Sequence, residues 1–273
     1  MNRFAQGFER CRREGRAALM PYMTAGDPSL EWTERLIDAA VEAGADMIEL
    51  GVPYSDPLAD GPTVQAAGQR ALAAGVTVDG IFGLVRRVRA RYPALPLALL
   101  VYYNCVFRRG ERRFVEDAAA AGVDGLIIPD LPPEEGGGVQ DAAAEAGIDV
   151  IYLVAPTSTP ERIRLIASRS TAFIYCVSLT GVTGARSQLS ASLDAFLSRV
   201  RREVRAAGKE LPLAVGFGIS KPEHVAEVSR LADGVIVGSA LIDTFHGQEN
   251  LEAGLEACRS MIQAMRSAAL LPA

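Results

Sequence analysis

Lysine is nearly missing from this chain of 273 residues: of its 28 Lys and Arg residues only Lys209 and Lys221 are lysines. Lys209 falls in an expected loop and Lys221 at an expected helix start, so no lysine stands within a strand to form a Schiff base with a carbonyl substrate. Histidine is as scarce. His224 and His246 are far apart in sequence and read as exposed or capping, which leaves a metal aldolase or hydrolase built on a histidine cluster without its ligands. The four cysteines, Cys11, Cys105, Cys176 and Cys258, contain no CxxC pair. They indicate neither a disulfide framework nor a zinc site, and all four read as packing residues of a reduced, cytoplasmic protein. There is no GxSxG elbow and no Ser-His-Asp arrangement. No apolar run reaches the roughly 18 residues of a membrane span, and the first twenty residues are too polar for a secretory signal. A net charge of -5 gives no basic footprint for nucleic acid.

What the chain does have is material for a large core, with 49% hydrophobic residues and 22% charged. Four segments repeat one joint, in which an Ala-rich helical stretch meets an Asp and enters an apolar run: "EAGADMIEL", "AAGVDGLIIPD", "EAGIDVIYL" and "RLADGVIVGS". The glycine of the first three suits a left-handed helix C-cap, with a strand after it. Periodicity predicts strands near 17–24, 46–51, 97–103, 125–129, 149–154, 172–177, 211–216 and 233–237. Helical stretches alternate with them, among them 30–43, 78–91, 111–121, 159–169, 189–207 and 221–230. Phe4, Phe8 and Cys11 add an amphipathic N-terminal helix. Strict β/α alternation implies a parallel sheet, either a closed barrel or an open doubly wound sheet. Eight units without a composition break favour closure into a (β/α)8 barrel, which needs about 250 residues. The expectation is one domain over residues 1–273.

Strand alternation points Met47 and Glu49 to one face of the second predicted strand and Ile48 and Leu50 to the other. In a barrel Ile48 and Leu50 pack outward on helices, so Glu49 points inward at the rim where barrel active sites are built. Burying an unpaired carboxylate raises its pKa and keeps it neutral, which suits a proton carrier. The structural alternative is an internal Glu bonded to a tyrosine hydroxyl. Asp60 lies in a loop stiffened by Pro53, Pro57 and Pro62, and as a residue before Gly61 it serves either a turn or a substrate. "VGFGIS" and "VGSALI" follow the last two predicted strands. Their glycines let backbone N–H groups approach an anion, and a helix starting at Ser239 would aim its positive end at a phosphate. Tyr22, Leu100, Tyr102, Phe173 and Tyr175 are candidates for an apolar lining near that site.

"IELGVPYSDPLADGPTVQ", "PDLPPEE", "SLTGVTGAR", "GFGIS" and "VGSALI", in this order, strongly resemble the α subunits of tryptophan synthase, and the resemblance runs over nearly the entire chain. It implies a TIM barrel with an extra N-terminal helix and retro-aldol cleavage of indole-3-glycerol phosphate to indole and glyceraldehyde 3-phosphate. It makes Glu49 the acid/base at ring C3 and at the side-chain hydroxyl, and Asp60 the carboxylate that stabilises the ring N–H. By the same resemblance Tyr175 supports the acid/base region. Gly184, Gly218, Gly238 and Ser239 hold the phosphate, Thr183 closes over the substrate, and Phe217 packs on its rim. The implied partner is a β subunit, in an α2β2 heterotetramer, which carries pyridoxal phosphate; this chain is expected to need no cofactor or metal. The segment "YYNCVFRRG", implied to touch that partner, carries Cys105 where relatives often have proline. Three other readings share these residues: an indole-releasing lyase that works alone, a phosphosugar isomerase, and a catalytically dead barrel that activates a partner.

Overall fold

The computed structural model describes residues 2–177, 186–216 and 218–270, with the side chains of 186–191 left aside. Nine parallel strands are hydrogen-bonded in the order β5-β4-β3-β2-β1-β9-β8-β7-β6. They are β1 (Ala18–Thr24), β2 (Ile48–Gly51), β3 (Leu97–Leu100), β4 (Gly125–Ile127), β5 (Asp149–Ile151), β6 (Leu153–Val154), β7 (Ile174–Val177), β8 (Leu213–Gly216) and β9 (Gly234–Val237). β5 and β6 are the two halves of one predicted strand, interrupted only at Tyr152. One half pairs with β4 and the other with β7, while the Tyr152 carbonyl accepts from the Tyr175 amide at 3.1 Å. The two ends of the sheet are therefore neighbours in the chain, and the sheet closes into an eight-membered barrel.

Closure divides the apolar residues into two sets. Ile48, Leu50, Leu97, Leu99 and Val101 face the outer helices, whereas Met47, Ala98, Ile127, Ile151, Tyr175 and Ile236 fill the barrel interior. Helix α1 (Arg3–Arg13) plugs the lower end, with Phe4 and Phe8 against Phe173 at ring separations of 5.6 and 5.7 Å. Phe173 thus belongs to the floor of the barrel and not to the upper lining expected for it. Cys11, Cys176 and Cys258 are buried and Cys105 packs on the outer core, all four as free thiols.

The repeated joint does more than end a helix. Gly122 and Gly147 cap α6 (Glu111–Ala121) and α7 (Gly137–Ala146) in the left-handed conformation. The aspartate after the joint then clamps the preceding strand. Asp46 donates its amide to the Leu19 carbonyl at 2.9 Å and accepts the Leu19 amide on its carboxylate at 3.0 Å. Asp124 does the same to Leu97, and Asp233 to Leu213, each with distances of 2.9 and 2.8 Å. A guanidinium neutralises each one: Arg16 on Asp46, Arg89 on Asp124 and Arg201 on Asp233. Burial pushes the Asp46 carboxyl up, and the Arg16 hydrogen bonds, the Leu19 amide, the Arg16 charge and Arg10 together more than reverse this, so it lies below its usual range.

Two elements depart from expectation. The third strand ends at Leu100 and not at 103, because Asp130 accepts the Tyr103 amide at 2.8 Å and the chain turns into α5 (Tyr103–Arg109). A helix not foreseen, α3 (Pro62–Ala73), follows the Asp60 loop and buries Ala67 and Ala71. Among the described residues no helix is long and apolar enough to cross a membrane.

Arg16 and Asp46 are only 3% and 4% exposed, so loss of either leaves a buried charge whose remaining partner, Glu14 or Arg10, is itself part-exposed. Asp46→Ala is expected to lower the unfolding free energy by about 3–5 kcal/mol, read from urea denaturation. A loss below about 1 kcal/mol would deny the clamp its role.

Candidate functional site

Above the core, at the C-terminal ends of the strands, lies a cavity of about 330 Å³. Its walls include Tyr22, Glu49, Asp60, Leu100, Tyr175, Gly218, Gly238 and Ser239, which brings together eight of the residues singled out from sequence. Thr183, Gly184 and Phe217 lie outside the described residues. A larger cleft, about 510 Å³, opens at the opposite end beneath α1. Its arginines are mostly spoken for, with Arg12 on Glu9, Arg16 on Asp46 and Arg201 on Asp233. The upper cavity is the one with acids free to react.

Glu49 is 0% exposed, and among the described residues neither carboxyl oxygen has a hydrogen-bond partner. The structural alternative, a Glu tied to a tyrosine hydroxyl, is therefore not what the chain builds. Burial, reinforced by the neighbouring Asp60 charge, pushes the Glu49 carboxyl up from 4.5 to about 8. It is held as a neutral acid near pH 7.

Asp60 is held from below and behind. The Tyr102 hydroxyl accepts the Ala59 amide at 2.9 Å, and its ring stacks on Tyr54 with centroids 5.1 Å apart. Gln65, one turn into α3, donates to the Asp60 carbonyl at 2.9 Å. Burial pushes the Asp60 carboxyl up, and a hydrogen bond from Tyr102 pulls it back. Tyr102 is thus a brace for the Asp60 loop and lies behind the cavity wall. Asp56, by contrast, is exposed and accepts from the Ser55 hydroxyl at 2.5 Å, as a turn former does.

Two tyrosines shape the floor, and glycines make room for them. A Cβ on Gly51 would lie 2.1 Å from the Tyr22 hydroxyl, and one on Gly216 would lie 2.5 Å from that of Tyr175. Burial raises both phenols, so they stay protonated and can only share a hydrogen. On the far wall α11 (Ser239–His246) begins at Gly238 with no side-chain cap, so its first amides face the cavity at Ser239 and Ala240. That end carries partial positive charge suited to an anion.

Several wall residues escaped the sequence reading: Gly61, Val64, Ile219, Ser220, Ile236 and Asp243. Ile236 had a signal, since strand alternation turns it inward two residues before Gly238. Val64 had one only in hindsight, as it shares the face of Ala67 and Ala71 on a helix opened by Pro62. Of the two histidines, His224 accepts the Ser220 amide at 3.3 Å as a cap does. His246 is instead half-buried against Asp27 at 2.9 Å. Among the described residues no three His, Cys, Asp or Glu side chains gather as metal ligands.

Comparison with known proteins agrees with this geometry. A family model described as tryptophan synthase alpha chain matches residues 8–270. Tryptophan synthase alpha chains from Geobacter sulfurreducens and Chloroflexus aggregans are similar to it. The first is 46% identical over 268 residues, covering 98% of this chain and 99% of the relative. The second is 52% identical over 243 residues, covering 89% of each. Among solved structures, the tryptophan synthase alpha chain of Legionella pneumophila matches with a TM-score of 0.88 at 38% identity, covering 98% of this chain and 97% of that one. A chain of Mycobacterium tuberculosis tryptophan synthase matches equally, at 0.88 and 38%, covering 99% of both.

Because Glu49 is an acid of raised pKa, the folded protein keeps its proton between about pH 4.5 and 8 while the unfolded chain releases it. Its contribution to stability is therefore full below about 4.5 and declines as pH rises through about 8. Glu49→Gln is expected to flatten this decline, measured as urea midpoints across that range. A wild-type slope retained in the variant would mean that Glu49 is ionised in the fold.

Proposed function

This chain belongs to the tryptophan synthase alpha chain family, lyases of tryptophan biosynthesis that cleave indole-3-glycerol phosphate to indole and glyceraldehyde 3-phosphate, and we propose that Glu49 and Asp60 divide the work of that cleavage. The observation that carries the reading is Glu49 itself, a fully buried acid with no hydrogen-bond partner among the described residues, opening on a cavity of about 330 Å³. A protein tolerates such a group at a rim of this kind for chemistry.

The steps balance with one proton donor. Glu49, neutral below about pH 8, gives its proton to ring C3 of the substrate, and the ring takes positive charge on nitrogen. Asp60, as the carboxylate, accepts a hydrogen bond from the ring N–H and stabilises that charge. The Glu49 carboxylate then takes the proton of the side-chain hydroxyl. The carbon–carbon bond breaks, its electron pair returns to the ring to restore aromatic indole, and the hydroxyl carbon becomes the aldehyde. Glu49 ends protonated as it began. Two acids in different surroundings hold different protonation states, which is the division of labour required.

The phosphate is held by backbone amides at Gly218, Gly238 and Ser239, together with Gly184. Tyr22 and Leu100 line the apolar end, Tyr175 supports Glu49, and Tyr102 acts through the Asp60 loop. Thr183 and Phe217 cover the bound substrate. The chain works as a single domain over residues 1–273, in the cytoplasm, without a cofactor of its own. Its partner is a tryptophan synthase β subunit in an α2β2 heterotetramer, and that subunit holds pyridoxal phosphate. Two large apolar side chains support a partner face on this rim: Leu58 is 94% exposed and Phe107, on α5, 65%.

Glu49→Gln is expected to fold and to lose more than about tenfold in kcat, that is more than about 1.4 kcal/mol, in indole release from indole-3-glycerol phosphate. Asp60→Asn should lose most of its turnover while still binding phosphate esters. Assays with and without a β subunit separate a partnered lyase from one that works alone. A phosphosugar isomerase would release no indole in either, and a dead barrel would show zero turnover in the complex. Wild-type turnover in Glu49→Gln would remove Glu49 from the mechanism.

A further inference from the structure

One buried carboxylate near the cavity has no part in the steps above. Asp27, in the loop between β1 and α2 (Leu30–Glu42), is 4% exposed and reaches two helices at once. It accepts both arms of Arg70, at 2.8 and 2.7 Å, from α3. On its other side the His246 Nε2 lies 2.9 Å from it, from the last turn of α11. These partners are 43 and 219 residues away in sequence.

The two helices are walls of the site. α3 starts two residues after Asp60 and carries Val64 on the cavity face, while α11 presents Ser239 and Ala240 at its N-terminus. α3 packs on α11, and both pack on β1. The cluster sits one side chain behind the cavity, because Tyr22 lines both the cavity and a small void that Asp27 and His246 also line. A buried carboxylate is costly without partners, and a bidentate guanidinium is the partner most demanding of geometry.

We propose that Asp27 is a positioning residue, which fixes the Asp60-bearing start of α3 against the anion-binding start of α11 through Arg70 on one side and His246 on the other. The proposal rests on the assignment of Asp60 and of the α11 amides made above. Its two arms act on different parts of the reaction. The Arg70 arm governs where Asp60 stands during bond breaking, which is a matter of kcat. The His246 arm governs where the phosphate amides stand, which is a matter of binding. A small misplacement of either wall is enough, since errors near 1 Å cost up to about 100-fold.

The test uses the full chain with a tryptophan synthase β subunit, following indole release, and calorimetry with glycerol 3-phosphate as the binding probe. Arg70→Met is expected to lower kcat about tenfold with KM within about twofold. His246→Leu is expected to raise KM and weaken glycerol 3-phosphate binding about fivefold, with kcat within about twofold. Asp27→Asn should show both effects, with kcat/KM down at least about thirtyfold. A general loss of stability would instead move the two single-arm variants in the same way. Identical changes in both, or folded variants with wild-type kcat, KM and binding, would overturn the proposal. If Asp27→Asn does not fold, the two single-arm variants decide, since each leaves Asp27 one partner. Failure of the Glu49 assignment is read separately, from Glu49→Gln turnover, and leaves the binding ratios meaningful.

Discussion

The constraint on which this structure turns is an acid without a partner. Other buried acids among the described residues have polar partners: Asp46 has Arg16, Asp124 has Arg89, Asp27 has Arg70, and Asp149 accepts from the Asn2 side chain. Among the described residues Glu49 alone combines full burial with two unpartnered oxygens. Removing a carboxylate from water costs several kcal/mol if it stays ionised, so the fold can keep it only by leaving it protonated. This requires a scaffold rigid enough not to relax around the group, admit water or swing the side chain outward. Barrel closure supplies that rigidity. β2 is hydrogen-bonded on both sides, by β1 and β3, and Glu49 is in register with Tyr22 and Ala98.

The contacts that hold the two ends of the barrel differ in kind. The lower end is fastened by the aspartate clamps, each made from two hydrogen bonds to the strand backbone and one or two guanidiniums. The plug of Phe4 and Phe8 on Phe173 adds aromatic contact area to the same end. The upper end is built from loops and helix starts, whose fixed points are a few polar contacts: Tyr102 to the Ala59 amide, Gln65 to the Asp60 carbonyl, and Asp27 to Arg70 and His246 on two helices. A catalytic loop needs this arrangement, since a substrate must enter before the walls take their working positions.

Much of this was legible in the sequence because its signals are local. Period-two alternation identified the inward face of Glu49, and three glycines announced helix ends that the structure confirms, Gly44, Gly122 and Gly147 all having positive φ. The helix beginning at Ser239 was legible from its glycine and small residues. What escaped notice was non-local or weakly patterned. α3 is built from Ala, Gly and Gln around a narrow apolar strip, so its periodicity is faint beside the turn signals that precede it. Tyr102 looked like a strand residue pointing at substrate. Its contact with Ala59 crosses 43 residues and depends on where the strand ends, which Asp130 decides from a third loop. His246 was read as exposed for the same reason, as nothing near it in sequence foretells Asp27.

The chemistry inherits this division. Raising the pKa of Glu49 to about 8 uses two effects of different range: desolvation, which the closed barrel provides permanently, and the charge of Asp60, which depends on a loop. Desolvation is the larger cause, so the acid is already neutral before the loop settles. The charge contribution falls as the ring N–H of a bound substrate takes up the Asp60 carboxylate, because a hydrogen-bonded anion repels its neighbour less. In the proposed cleavage, substrate binding would then make Glu49 a stronger acid at the moment its proton is needed. On that proposal the loop that holds Asp60 is both a binding wall and a control on proton transfer, and small displacements of α3 would act on each.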